Sequence, residues 1–243
     1  MKKLTICLLA LIVLAGAPHI DKNPQAYGDS ALEYFNLGMQ SSMAYKKIEY
    51  FTKALELNPR FAPAYEKRGL FYFFQGKYDK VIEDLTRFIR LVPDKADVYR
   101  MLAMAHLKVE NYDKAIENFD TAIQLDPEMS AAFCYRAEAL RLSGKPMEAI
   151  QDATIGIELQ GDARTISDAY KTRGRAYQEM GQEDLADADF KKTVEFDPRL
   201  VIYRYFASSA SLEGMRNAGL VGMIAIAFVL IFGFKLKPPN KDQ

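Results

Sequence analysis

Apolar and small residues recur along this chain at an interval of 34 positions. Pro59, Pro93 and Pro127 stand one interval apart, as do Tyr65, Tyr99 and Phe133; Gly69, Ala103 and Ala137; Val81, Ala115 and Ala149; and Phe51, Leu85, Phe119 and Ala153. After three added residues the rows resume at a step of 37 with Tyr170, Gly174, Tyr177, Ala186, Phe190 and Pro198. A period of this length predicts a helix pair repeated about five times, each pair burying its apolar face only against the next. Asn58, Asp126 and Asp197 before Pro59, Pro127 and Pro198 mark where one pair stops and the next starts. Gly76 and Gly144 are expected to form the tight turn inside a pair, with Tyr78 and Pro146 opening the second helix.

The rows also predict packing. Gly69, Ala103, Ala137 and Gly174 on the first helices are expected to face Val81, Ala115, Ala149 and Ala186 on the second, letting the axes approach to about 8–10 Å. Gly38 falls three places later than its row requires and Lys47 replaces a small residue, so the first pair reads as an irregular cap with a shortened turn. Gly161 replaces the inter-pair proline and the insertion follows it, which predicts a bent or looser junction there. Leu200, Val201, Tyr203 and Phe206 have helical spacing and would cap the last pair.

In these rows, over roughly Ala31 to Pro198, the chain resembles the tetratricopeptide repeat family, most cleanly in Leu102, Ala103, Tyr112, Ala115, Phe119, Ala122 and Pro127. The resemblance implies an all-α solenoid of about five helix pairs.

Two apolar runs lie outside the rows. Lys2 and Lys3 precede an apolar run from Leu4 to Ala15 and the small triplet Ala15, Gly16 and Ala17. That is the three-part pattern of a secretory signal, the run covering about 18 Å as a helix; an uncleaved anchor is the alternative. Ala218 to Phe234 carries no charge and covers about 26 Å, and extension back to Met215 reaches about 30 Å, enough to span a bilayer once. Lys235, Lys237 and Lys241 follow it against Arg216 before it, which places the C-terminus in the cytoplasm and the repeats outside the cell membrane. The expected organisation is a signal peptide at 1–17, a linker at 18–30, repeats at 31–198, a capping helix at 199–213, a transmembrane helix at 215–234 and a basic tail at 235–243.

Composition narrows the function. The 32 Lys plus Arg balance 32 Asp plus Glu, so no clustered excess of cations points to nucleic acid. Cys134 remains alone once Cys7 leaves with the signal, which excludes an intrachain disulfide. His106 occupies a packing place shared with Tyr72, Leu140 and Tyr177, and Cys134 has no histidine near it in the repeat. No phosphate-cradling loop, serine nucleophile motif or metal-ligand spacing is present, so no enzyme activity, cofactor or metal is expected. The acidic pairs Glu83 with Asp84 and Asp187 with Asp189 read as solvated faces of second helices.

In the family it resembles, first helices line a concave groove. Carried over place by place, the resemblance implies Leu70, Phe73, Phe74, Arg100, Met101, Met104, Tyr135, Glu138, Arg141, Lys171, Arg175 and Gln178 as groove residues. An apolar part of a bound peptide would meet Phe73, Phe74, Met101 and Met104, and an acidic group Arg141, Lys171 and Arg175; alternatively the aromatics fill the interior and the cations are solvated. The Lys and Asn arrangement that grips a terminal carboxylate in chaperone-binding members is not reproduced. The expected function is a membrane-anchored scaffold for a protein or peptide partner. An assembly chaperone or homo-oligomeric subunit and a cytoplasm-facing tail-anchored adaptor stand as alternatives.

Overall fold

The structure is a computed structural model and describes residues 24–196. It contains ten helices and, among the described residues, no strand. The signal, capping-helix and transmembrane expectations lie outside the described residues; among those described, no helix is long and apolar enough to cross a membrane.

The helices form five antiparallel pairs, in two compact units that divide at Pro93. The first unit holds α1 (Pro24–Gln40) with α2 (Ala44–Leu57), and α3 (Ala62–Phe74) with α4 (Tyr78–Leu91). The second holds α5 (Ala96–Lys108) with α6 (Tyr112–Leu125), α7 (Ser130–Leu142) with α8 (Pro146–Glu158), and α9 (Ala163–Glu179) with α10 (Glu183–Phe196). Within the second unit the first helices adjoin, α5 with α7 and α7 with α9. Helix α1 begins at Pro24, ahead of the Ala31 where the repeats were expected to start.

Local chemistry sets the helix ends. Gly76, Gly144 and Gly181 close α3, α7 and α9 at φ of 69°, 81° and 72°. The residue after each donates its N–H back to the helix: Lys77 to Tyr72, Lys145 to Leu140 and Gln182 to Tyr177, each at 2.9 Å, satisfying carbonyls that the helix leaves open. Glu110 does the same work after α5 at φ 61°, with Asn111 donating to the His106 carbonyl. Pro63 and Pro146 lie in the first turns of α3 and α8, where a missing N–H is harmless.

The small and large rows meet as the core. Phe51, Val81, Leu85, Ala103, Ala115, Phe119, Ala137, Ala149, Ala153 and Ala186 are all buried. A methyl on Gly69 would stand 3.0 Å from Leu85, one on Gly174 2.8 Å from Phe190, and one on Gly38 2.6 Å from Phe51. The small residue therefore packs under the large row, one helical turn beyond the Val81 row that the sequence suggested.

Both irregularities resolve into helix length. Helix α1 runs only two residues past Gly38 where α3 runs five past Gly69, and the turn of residues 41–43 is as long as that of residues 75–77; the shortening falls on the C-terminal end of the helix, not on the turn. Lys47 fits beside the truncated end, its Nζ 3.5 Å from the Met39 carbonyl and 5.1 Å from the centre of the Phe71 ring. The insertion lengthens α9 to 17 residues against 13 in α7, so it is helix and not a looser junction. Asp162 caps that helix, accepting from the Arg164 and Thr165 N–H groups at 3.1 Å and from the Thr165 hydroxyl at 2.6 Å. Those bonds hold the Asp162 carboxyl below its ordinary pKa, the Thr165 hydroxyl contributing most.

The acidic pairs correct the sequence reading. Glu83 and Asp187 are exposed, but Asp84 and Asp189 are buried. Asp84 takes two hydrogen bonds from Arg68 at 2.8 and 2.7 Å, Asp152 takes two from Arg136 at 2.6 and 2.8 Å, and Asp189 takes two from Arg173 at 2.7 and 2.8 Å. Each arginine spends its remaining Nη1 on the second helix of the preceding pair: Thr52 at 3.0 Å, Asp120 at 2.6 Å and Thr154 at 2.9 Å. Bidentate geometry satisfies the desolvated charges, and the third bond ties neighbouring pairs together. In the pair α5 and α6 the two places hold Leu102 and Asn118 instead.

Candidate functional site

The residues assigned to the groove all lie on first helices, as expected, but their surroundings differ. In the first unit Leu70 is half-buried on α3, and Phe73 packs edge-on against Tyr78 at 5.5 Å, beside the turn. Phe74 is 72% exposed. Its only ring partner among the described residues is Phe71, at 6.3 Å and edge-on. Phe71 in turn continues a row of rings through Phe51 at 6.2 Å, Phe35 at 5.5 Å and Phe61 at 5.1 Å. A row of buried and half-buried rings thus ends in an exposed one, with the Lys47 ammonium over the face of Phe71. Sequence reasoning named Phe74 but missed Lys47 and Phe71. The signal was there, since Lys47 breaks its row.

In the second unit Arg100 is tied to Asp97 on its own helix at 3.0 Å, and Met104 packs against the buried cluster around Ala103 and Phe119. Met101 is half-buried on the same helix. Tyr135 packs against that cluster too; burial pushes its phenol above the ordinary pKa, opposed by a hydrogen bond with Thr165.

The structure brings Glu138 and Arg141 of α7 together with Thr172 and Glu179 of α9. Arg141 donates to both Glu138 oxygens at 3.1 and 2.9 Å and to Glu179 at 2.6 Å. Thr172 donates to Glu138 at 3.0 Å. Arg141 therefore carries two carboxylates already, and this part of the face is a closed polar network that fixes α7 against α9. Lys171 and Arg175 lie half-buried one turn apart on α9, and Gln178 is exposed. Arg175 makes no ion pair among the described residues.

Two reactive side chains are sealed. Cys134 is buried beside Ser130, and burial pushes its thiol up to about 11, so it is a thiol and not a thiolate at neutral pH. His106 is buried with Nδ1 unpartnered. Its pKa is lowered by burial and further by Lys114, with Glu117 opposing. Among the described residues no group of His, Cys, Asp or Glu is arranged to hold a metal ion.

Comparison with known proteins accords with this architecture. Residues 50–83, 96–129 and 167–200 each match the tetratricopeptide repeat family. A crystal structure of MamA aligns at 25% identity with a TM-score of 0.58, over 64% of this chain and 90% of that one. YrrB, described as a TPR protein with an unusual peptide-binding site, aligns at 20% identity and a TM-score of 0.59, over 74% of this chain and 89% of that one. A double mutant of MamA from RS-1 aligns at 13% identity and a TM-score of 0.63, over 72% of this chain and 98% of that one. No curated protein sequence matches the chain. The chain therefore carries tetratricopeptide repeats, and residues 50–83, 96–129 and 167–200 are three of them.

Proposed function

We propose that this protein is a membrane-anchored scaffold whose exported repeats hold a protein or peptide partner on the faces of their first helices. The observation that carries the reading is Phe74, a large aromatic 72% exposed at the end of a ring row whose other members are buried or half-buried. Covering such a side chain is worth about 1.5–3 kcal/mol, the size of a binding hot spot. Repeats of this kind support a protein-interaction role, and YrrB is described as having a peptide-binding site. Lys171 and Arg175 supply a separate cationic place for an acidic group, while Arg141 serves mainly to position Glu138 and Glu179. Anchoring rests on the Lys2-Lys3 and Leu4–Ala15 pattern and on the uncharged run from Ala218 to Phe234.

Crosslinking from native membranes, compared between the parent chain and Phe74→Ala, tests the interaction: retention of the crosslinked partner should fall about tenfold or more. Unchanged retention in Phe74→Ala removes the apolar anchor, and unchanged retention in the Lys171→Glu, Arg175→Glu double variant removes the cationic one. Protease added to intact cells or spheroplasts should cut the repeats, and complete protection would overturn the exported topology.

A further inference from the structure

The first pair differs from the others at the places of the arginine clamp. Arg68, Arg136 and Arg173 each directly precede the small-row residue, and Asp84, Asp152 and Asp189 each directly precede the large-row residue. In the first pair these places hold Leu37, just before Gly38, and Tyr50, just before Phe51. The arginines reach back to a preceding pair, and α1 has none among the described residues. Leu37 is left 38% exposed, whereas Leu102, the leucine at the same place in α5, is 5% exposed.

Around Leu37 the surface is concave. A depression of about 340 Å³ runs along α1 past Asp29, Leu32, Glu33 and Leu37, and one of about 360 Å³ continues between α1 and α2 past Leu37, Lys46 and Tyr50. Leu37 and Gln40 belong to both. The two are nearly equal in size and opposite in charge. Asp29 and Glu33 stand exposed in the first and Lys46 in the second. None of the three makes an ion pair among the described residues; Glu49, the carboxylate whose pKa Lys46 helps to lower, is bridged to Lys53 at 2.8 Å.

We propose that the open side of α1 and α2 is a two-fold interface with a second copy of this chain. A two-fold axis through the shared wall at Leu37 and Gln40 exchanges the depressions. It sets the acidic one of each copy against the basic one of the other, Glu33 facing Lys46 of the second copy, and covers the exposed leucines from both sides. Isologous contacts require such self-complementarity, and a patch of one sign would repel its own image. The apolar centre supplies the attraction and the diagonal charges fix the register.

The test is the mass of the full chain in detergent micelles by light scattering or sedimentation, with circular dichroism confirming helix content. The parent chain should be a dimer. Glu33→Lys and Lys46→Glu, both exposed and outside the core, should each weaken dimerisation at least tenfold, as should Leu37→Arg. The double variant Glu33→Lys, Lys46→Glu should regain it, because the swapped charges face each other again. A monomeric parent chain, a dimer that both single variants leave intact, or a double variant no tighter than the singles would overturn the proposal. Partner retention through Phe74 is read in a different assay and on a different helix, so either idea can fail alone.

Discussion

Arg173 and Asp189 are joined by two parallel hydrogen bonds, Nε to Oδ2 at 2.7 Å and Nη2 to Oδ1 at 2.8 Å, between α9 and α10. Both side chains are largely buried, so neither charge has water to fall back on.

Removing one partner should therefore be far worse than removing both. Asp189→Ala is expected to lower stability by about 3–5 kcal/mol, since it strands a buried guanidinium. The double variant Arg173→Met, Asp189→Leu should lose much less, or gain, because apolar side chains of similar volume avoid the desolvation altogether. Urea denaturation of the single and double variants measures the difference.

His106 should make the second unit sensitive to mild acid. Burial lowers its folded pKa beneath the ordinary 6.5, so the folded state favours the neutral ring. Stability is then complete above pH 6.5 and declines as pH falls from there toward the folded pKa. His106→Leu, which copies Leu140 at the same place, removes the unpartnered Nδ1 and the titration together. It is expected to raise stability by about 1 kcal/mol at neutral pH and to flatten that acid slope, as thermal melts across the range would show.

Glu110 sits at φ 61° where Gly76 and Gly144 stand in the neighbouring pairs. A left-handed conformation costs a residue with a Cβ about 1–2 kcal/mol. Glu110→Gly should recover about 1 kcal/mol, the remainder being lost to the freer unfolded chain. Equilibrium denaturation would detect it.

Cys134 should be silent toward thiol reagents in the folded protein at pH 8, since burial pushes its thiol up to about 11. It should react in full once guanidinium unfolds the chain. Prompt labelling of Cys134 under native conditions, located by peptide mapping, would contradict the buried placement.

The row residues made the helix pairs legible from sequence, because a 34-residue period in small and aromatic positions has few other physical meanings. They misplaced the partner of Gly69, naming Val81 where Leu85 lies, since both are apolar and one turn apart. The clamps went unread for a different reason. A lone Asp84 beside Glu83 looks solvated, and only the recurrence of an Arg and an Asp at one spacing in Arg68 and Asp84, Arg136 and Asp152, and Arg173 and Asp189 reveals the pairing. At the candidate site, place alone identified Arg141 as a cation but could not show that Glu138 and Glu179 had already claimed it.

The third bond of each clamp gives the repeats a direction. Arg68, Arg136 and Arg173 all reach toward the N-terminal neighbour, to Thr52, Asp120 and Thr154, and none reaches forward. Trimming a unit from its front strands a guanidinium donor, whereas trimming from its rear leaves only a hydroxyl or carboxylate that water can serve. A truncation series cut from the two ends should therefore lose cooperativity at unequal rates.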